Sequence, residues 1–273
     1  MECLLLRVGE ITLRSDWVYR SALDTLRGNL ERALQGEKCR IVPEEKRIFV
    51  YSENAQKAMP ILKRIFGITS ISPALACDSE MGAIKNTALK VSKRILNSRR
   101  SFAVRAERKG GPIGSRELNN EVGSAVAVKT GAKVNLSNPD VEIFIECRRE
   151  KALVYSEKIR GAGGLPLGSS GRAFALLRSR RDLEAAVLMM KRGLELEFIA
   201  SDRKLLNAIE KWNLGRKLRA QKAKNSAEIS KFLKASKCRF LVAGSGLNLK
   251  GSDMLVLNPL EGVNSSKILF TNR

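Results

Sequence analysis

The stretch GSSGRAFALLRSRRDLEAAVLMMKRG, Gly168 to Gly193, decides how the second half of the chain folds. Its apolar run, Ala173 to Leu177, is followed by a short turn and then by a segment with Leu183, Ala186, Val187 and Met190 on one face. That is the order strand, turn, helix. Such turns commonly hold phosphate, because backbone N–H groups at a helix N-terminus converge on an anion and glycines let the ligand come close. Here the turn is Arg178, Ser179, Arg180 and Arg181, followed by Asp182. It has three guanidinium groups and no glycine. Side chains there crowd a pyrophosphate and resist positive φ, so the turn reads as a degenerate phosphate loop, with Asp182 capping a helix that starts at Leu183.

Upstream, GAGGLPLGSSG from Gly161 to Gly171 is the clearest linker. Gly163 and Gly168 have the spacing of a Walker loop, but Ser169 stands where the lysine belongs and no strand precedes them, so linker is the reading kept. Downstream, Arg216 to Lys224 predicts a basic helical stripe.

The first half alternates periods. CLLLRV predicts a strand and Trp17 to Leu34 a helix; KCRIV and KRIFVY flank Pro43-Glu44-Glu45 as a hairpin; Ala55 to Phe66 predicts a helix with a kink at Pro60; ITSISPALA is extended. This β-α-β-β-α-β order is the ferredoxin-like plan. From Asp78 a second unit follows: a helix over Ala83 to Leu96, the strand SFAVRAER, a helix from Ser115 to about Lys129, and a hairpin from VEIFIECRR and KALVYSEK. The segments expected are 1–77, 78–160, a linker at 161–172 and 173–273.

Lys and Arg number 50 against 28 Asp and Glu, a formal charge of +22 and a pI near 10.2. Such a surplus costs self-repulsion unless a polyanion offsets it, and nucleic acid is the first candidate. Aromatic residues make up only 5%, which argues against base stacking as the main device. With no histidine, Ser-His-Asp and Cys-His catalysis and His-containing metal sites are excluded. The five cysteines are scattered without a C-x-x-C pair and read as buried thiols, so no metal ligand is assigned. No apolar run is long enough to span a bilayer, and MECLLLRVGE carries an acid where a signal peptide has bases; a cytoplasmic protein without membrane contact is expected.

SFAVRAERKG, ELNNEVGSAV, AKVNLSNPDVEIFIE, ALVYSEKIRGAGGLPLGSSG and AVLMMKRG, in this order, resemble the tRNA 4-thiouridine synthetase family, which is also tied to thiamine biosynthesis. GEITLRS resembles that family's opening signature. The resemblance implies a ferredoxin-like domain, a THUMP domain and a reduced Rossmann-like PP-loop domain, an α/β fold with an α+β N-terminal part, shared by archaeal and bacterial members. It also implies tRNA binding by the first two domains, adenylation of a uridine by ATP with magnesium in the third, sulfur delivery by a cysteine persulfide, and a homodimer. The family's loop is S-G-G-x-D-S, which RSRRDLE does not reproduce, and Cys238 does not match the sulfur-carrying cysteine. LVAGSGLNLKGSD resembles a worn form of a later family segment.

No catalytic residue and no cofactor is therefore assigned; ATP and magnesium belong to the alternative of a divergent sulfurtransferase. Candidate RNA contacts are Arg14 and Arg20 at the first helix, Arg105, Arg108 and Lys109 on and after SFAVRAERKG, Arg116, Lys129 and Lys133 around the next helix, and Arg216, Lys217 and Arg219. Each alone reads as a solvated charge. As a set they suit tRNA, presented to a catalytic protein acting in trans.

Overall fold

The computed structural model describes residues 2–13, 15–44, 46–200, 202–213, 215–223, 226–235, 238–244 and 255–261. The chain divides into two compact units. The first holds Met1–Leu6, Lys38–Gln56 and Ser70–Arg160; the second holds Arg7–Glu37, Lys57–Thr69 and Gly161–Arg273.

The first unit is built on a mixed sheet. Its strands are β1 (Glu2–Val8), β2 (Cys39–Glu44), β3 (Arg47–Ser52), β4 (Ile68–Asp78), β5 (Ser101–Lys109), β6 (Lys133–Val134), β7 (Val141–Arg148), β8 (Lys151–Tyr155) and β9 (Ile159–Arg160). They run in the order β2-β3-β1-β4-β8-β7-β5-β6, with β9 also on β4. The sheet is continuous across residues 77 and 78, because the second half of β4 pairs with β8, Leu75 opposite Val154. Pro43, which cannot donate to a ladder, lies on the edge strand β2, where it is tolerated.

Helices α3 (Met81–Ile95) and α4 (Ser115–Thr130) belong to this unit. Their apolar residues Ile84, Ala88, Val91, Leu118, Val122 and Val126 form one core with Phe102, Val104, Ile143, Ile145 and Val154 of the sheet. Helical and strand periods thus meet on one face. The opposite face holds a second cluster, Cys3, Leu5, Phe49, Ala74, Leu153 and Tyr155. Burial pushes the Cys3 thiol up to about 11 and raises that of Cys77; of the cysteines expected to be buried, Cys3 and Cys147 are, while Cys39, Cys77 and Cys238 are half-buried.

In the second unit, α1 (Asp16–Ala33) follows a short 3-10 turn at Glu10–Leu13. α2 (Ala55–Leu62) begins in the first unit and ends in the second. It stops four residues before the expected Phe66; Pro60 withholds an N–H from the helix, and the chain leaves by tighter turns such as Ile65 N–H to Leu62 O. A five-stranded parallel sheet follows: β10 (Arg172–Leu177), β11 (Glu195–Ala200), β12 (Ala220–Gln221), β13 (Phe240–Val242) and β14 (Leu255–Leu257), in the order β12-β11-β10-β13-β14. With α5 (Arg180–Lys191), α6 (Arg203–Glu210) and α7 (Ser226–Ala235) this is the doubly wound plan, and the strand order reverses between β10 and β13. Phe174, Leu176, Ile229, Leu233 and Leu241 make its core.

One expectation fails here. The basic stripe is not a helix over its described residues: Gly215 has φ +69°, and residues 220–221 join the sheet edge, with Phe198 N–H bonded to Arg219 O. Sheet hydrogen bonds override the local helical period. The Gly161–Gly171 stretch is hydrogen-bonded along its length: Gly163 to Gly67 and Ile68, Leu165 to Lys191, Gly168 and Ser170 to Gly193, with Leu167 fully buried.

Candidate nucleic-acid interface

In open α/β sheets the binding crevice lies at the carboxyl ends of the strands where the order reverses. Here that is where β10 and β13 exit, which brings the arginine turn against Gly244. Helix α5 begins at Arg180, not at Leu183, and its N-cap is Ser179, whose Oγ accepts from the Asp182 N–H at 3.2 Å. Asp182 is the third helical residue and is almost fully buried. Its carboxylate accepts from Arg178 N–H at 3.1 Å, Ser179 Oγ at 3.2 Å and Gly244 N–H at 2.9 Å, so the loop and the neighbouring strand's exit are tied to one acid.

The arginine side chains complete the closure. Arg181 donates Nε to Gly244 O at 2.6 Å and Nη2 to Leu260 O at 3.2 Å. Arg178 pairs with Asp182 at 3.3 Å, and Arg180 with buried Glu184 at 3.2 Å. A methyl group added at Gly244 would lie 2.1 Å from Arg181 O, which measures how closely the two exits approach. Among the described residues the sole non-glycine with positive φ is Lys46, so the turn reaches its helix with no left-handed residue. At this turn the exits of β10 and β13 are tied together through Asp182 and Arg181. Cys238 lies at the other end of the sheet, beside the start of β10, with its Sγ 3.5 Å from Arg172 O. Among the described residues no group of three or more His, Cys, Asp and Glu could hold a metal ion.

The candidate RNA contacts fall into three settings. Arg14 lies outside the described residues, and Arg20 is exposed on α1. On the first unit's sheet, Arg105 pairs with Glu142 at 2.8 Å and donates to Leu136 O; Lys109 pairs with Glu107 at 3.0 Å, holding that carboxyl below its usual range. Arg108 donates to Gly111 O at 2.6 Å. Arg105 and Arg116 line one hollow of about 820 Å³ with Lys158, whose Nζ sits 3.5 Å above the Phe144 ring. Lys129 and Lys133 stand exposed where α4 ends and β6 begins.

The last group is structural in part. Arg216 donates to Asn29 Oδ1 at 2.8 Å and Leu167 O at 3.1 Å and pairs with Glu195 at 2.9 Å. Arg32 bonds the same Asn29 oxygen at 2.7 Å, and burial, then Arg216, lowers its pKa. Arg219 pairs with Glu197, while Lys217 is exposed. The candidate set omits Lys90, Lys93, Arg94, Arg99 and Arg100, whose signal in the sequence is a run without acids from Met81 to Ala106.

Residues 3–72 match the ThiI ferredoxin-like domain and residues 78–157 the THUMP domain. The chain is a ThiI-like THUMP-domain protein. A probable tRNA sulfurtransferase of Thermococcus kodakarensis is 34% identical over 85% of this chain and 66% of its own length. One from Methanothermobacter thermautotrophicus is 33% identical over 84% of this chain and 60% of its own. The THUMP-domain chain thus spans roughly two thirds or less of these curated relatives. Among solved structures, PH1313 from Pyrococcus horikoshii matches with TM-score 0.86 at 30% identity, over 98% of this chain and 97% of that one. A 4-thiouridine synthetase crystallised with RNA and bound ATP matches with TM-score 0.82 at 21% identity, over 98% of this chain and 83% of that one, a likeness of fold. Relatedness to tRNA sulfurtransferases is therefore established. Among the described residues no helix is long and apolar enough to cross a membrane.

Proposed function

We propose that this protein holds tRNA, by its shape and by contacts to its phosphates, without adenylating it. The observation carrying this reading is the stitched switch point: Asp182 and Arg181 bind both the N–H and the C=O of Gly244, across the crevice where a nucleotide's phosphates enter such folds. A divided function follows. The ferredoxin-like and THUMP domains keep the polyanion, and the parallel-sheet domain serves as a scaffold for it, for a second copy of the chain, or for a modifying enzyme that acts in trans in the cytoplasm. No cofactor is required. Support for RNA comes from the THUMP domain, the +22 charge, and the RNA in the structure of the related 4-thiouridine synthetase.

The alternative is a divergent tRNA sulfurtransferase using ATP and magnesium, favoured by the curated relatives' descriptions. Tying Asp182 to three donors weighs against a metal-ligand role for it.

The RNA part is tested by recovering the nucleic acid that co-purifies with the full chain and sequencing it. Enrichment of tRNA over ribosomal RNA is expected, and binding of an unmodified tRNA transcript should fall steeply with salt. Recovery of no RNA, or affinity unchanged between low and high salt, contradicts the reading.

A further inference from the structure

Most cations of the first unit's sheet are already neutralised. Lys151 reaches Glu44 at 2.6 Å, buried Arg148 lies between Glu44 and Glu146, and Arg105 and Lys109 have the partners given above. A phosphate approaching that face meets ion pairs, which attract it weakly. The surplus charge lies elsewhere.

From Met81 to Ala106 the sequence has seven cations and no acid. Five of them, Lys90, Lys93, Arg94, Arg99 and Arg100, stand exposed on the last turns of α3 and the turn after it. The fold adds two more. The turn lies against the end of α4, where a methyl group at left-handed Gly131 would sit 3.5 Å from Ser98 Cβ, and β6 runs beside β5 with Lys133 opposite Ser101. Lys129 and Lys133 are thereby brought to Arg99 and Arg100. Among the described residues, Lys90, Lys93, Arg99, Lys129 and Lys133 have no acidic partner.

The ordinary explanation is that lysines and arginines stabilise helix C-termini. It accounts for little of this charge. Each helix end presents only about half a negative charge, and two helices end here, against seven cations. The acids lining a hollow with Arg100 are Asp140, Glu142 and Glu157; Glu142 is paired with Arg105, and Asp140 already accepts from Ser101 N–H and Oγ, which holds its carboxyl low. Among the described residues, Lys90, Lys93, Arg99, Lys129 and Lys133 keep a self-repulsion that no acidic partner offsets.

We infer that the shared end of α3 and α4, with Lys90, Lys93, Arg99, Lys129 and Lys133 at its centre, is the surface that grips the RNA sugar–phosphate backbone. This rests on the RNA-binding reading and gives it a place. The mode is sequence-blind: lysines act as point charges on phosphates, and the patch supplies no aromatic ring to read a base. The neighbouring exposed Val128, Val134 and Leu136 contribute no charge.

The test uses the full chain and an unmodified tRNA transcript, with affinity measured by fluorescence anisotropy across a salt series. One variant carries Lys90→Gln, Lys93→Gln, Arg99→Gln, Lys129→Gln and Lys133→Gln. A control removes five cations that each have an acidic partner, Arg27→Gln, Lys38→Gln, Lys85→Gln, Arg172→Gln and Arg192→Gln, giving the same net charge. The patch variant is expected to lose at least about tenfold in affinity, and its log–log salt slope should flatten by about 0.9 for each phosphate contact removed on duplex. The control should stay within roughly threefold of the parent at the same salt. Equal losses in both variants, or a patch variant with the parent's affinity and slope, overturn the assignment while leaving RNA binding intact. A parent protein that binds no tRNA overturns the function itself.

Discussion

Two turns of the second unit, less than ten residues apart, solve the same problem in opposite ways. The stretch from Gly161 to Gly171 places Gly163, Gly164, Gly168 and Gly171 at positive φ and packs closely: a methyl group at Gly164 would lie 2.2 Å from Lys191 O. The turn from Arg178 to Asp182 has no glycine and no left-handed residue, and passes from strand to helix through a serine cap. Where backbone must approach backbone, glycine is present. Where glycines would shape a phosphate cradle, side chains bind the neighbouring strand's exit. The difference teaches that the second turn is shaped for stitching the sheet together.

Replacing the acid at the centre of the stitch should have the largest effect. Asp182→Ala leaves the N–H groups of Arg178 and Gly244 and the Ser179 hydroxyl without their acceptor, a loss of about 3–5 kcal/mol. Urea unfolding of the second unit measures it; a loss under about 1 kcal/mol shows that water replaces the carboxylate readily. Gly164→Ala comes next, at about 2–3 kcal/mol, because it meets a backbone carbonyl as well as an unfavourable φ. Gly171→Ala, with φ +92° and open space around it, isolates the conformational part and should cost about 1 kcal/mol. If the two glycine variants are equally unstable, close packing of the strap is not what its glycines serve.

These comparisons also mark what the sequence can reveal. Helices α1, α3 and α4 follow from the helical period, and strands β1, β3, β5 and β7 from short apolar runs; Leu4, Leu5 and Leu6 in β1 and Ile48, Phe49 and Val50 in β3 are all buried, so both faces of these strands are covered. The capping serine is not legible: Ser179 and Asp182 are both good N-caps, and only the proximity of Gly244, 62 residues away, draws the carboxylate into its three-way role. The role of Arg216 is hidden for the same reason, since Asn29 and Glu195 are distant in sequence. Its neighbours' helical pattern loses to a sheet edge that local propensity does not contain. The basic patch is half legible, through the acid-free run at Met81 to Ala106; its completion by Lys129 and Lys133 depends on the parallel pairing of β5 and β6.

Smaller effects sharpen the contrast between structural and spare cations. Arg216→Ala should cost about 1–2 kcal/mol by stripping buried Asn29 and Leu167 O of a donor, with a matching fall in melting temperature. Arg180→Ala, on a guanidinium that is 74% exposed, should change stability by less than about 0.5 kcal/mol in the same assay. Reversal of that order identifies the turn, rather than the Asn29 cluster, as the place where arginine holds the unit together.

The central claim, that the closed switch point takes no part in nucleotide activation, is tested most directly by incubating the full chain with tRNA, magnesium and radiolabelled ATP and following AMP and pyrophosphate. The account predicts no release above that from a protein-free mixture, with or without tRNA. Release that depends on tRNA and is lost in Arg181→Ala would contradict it.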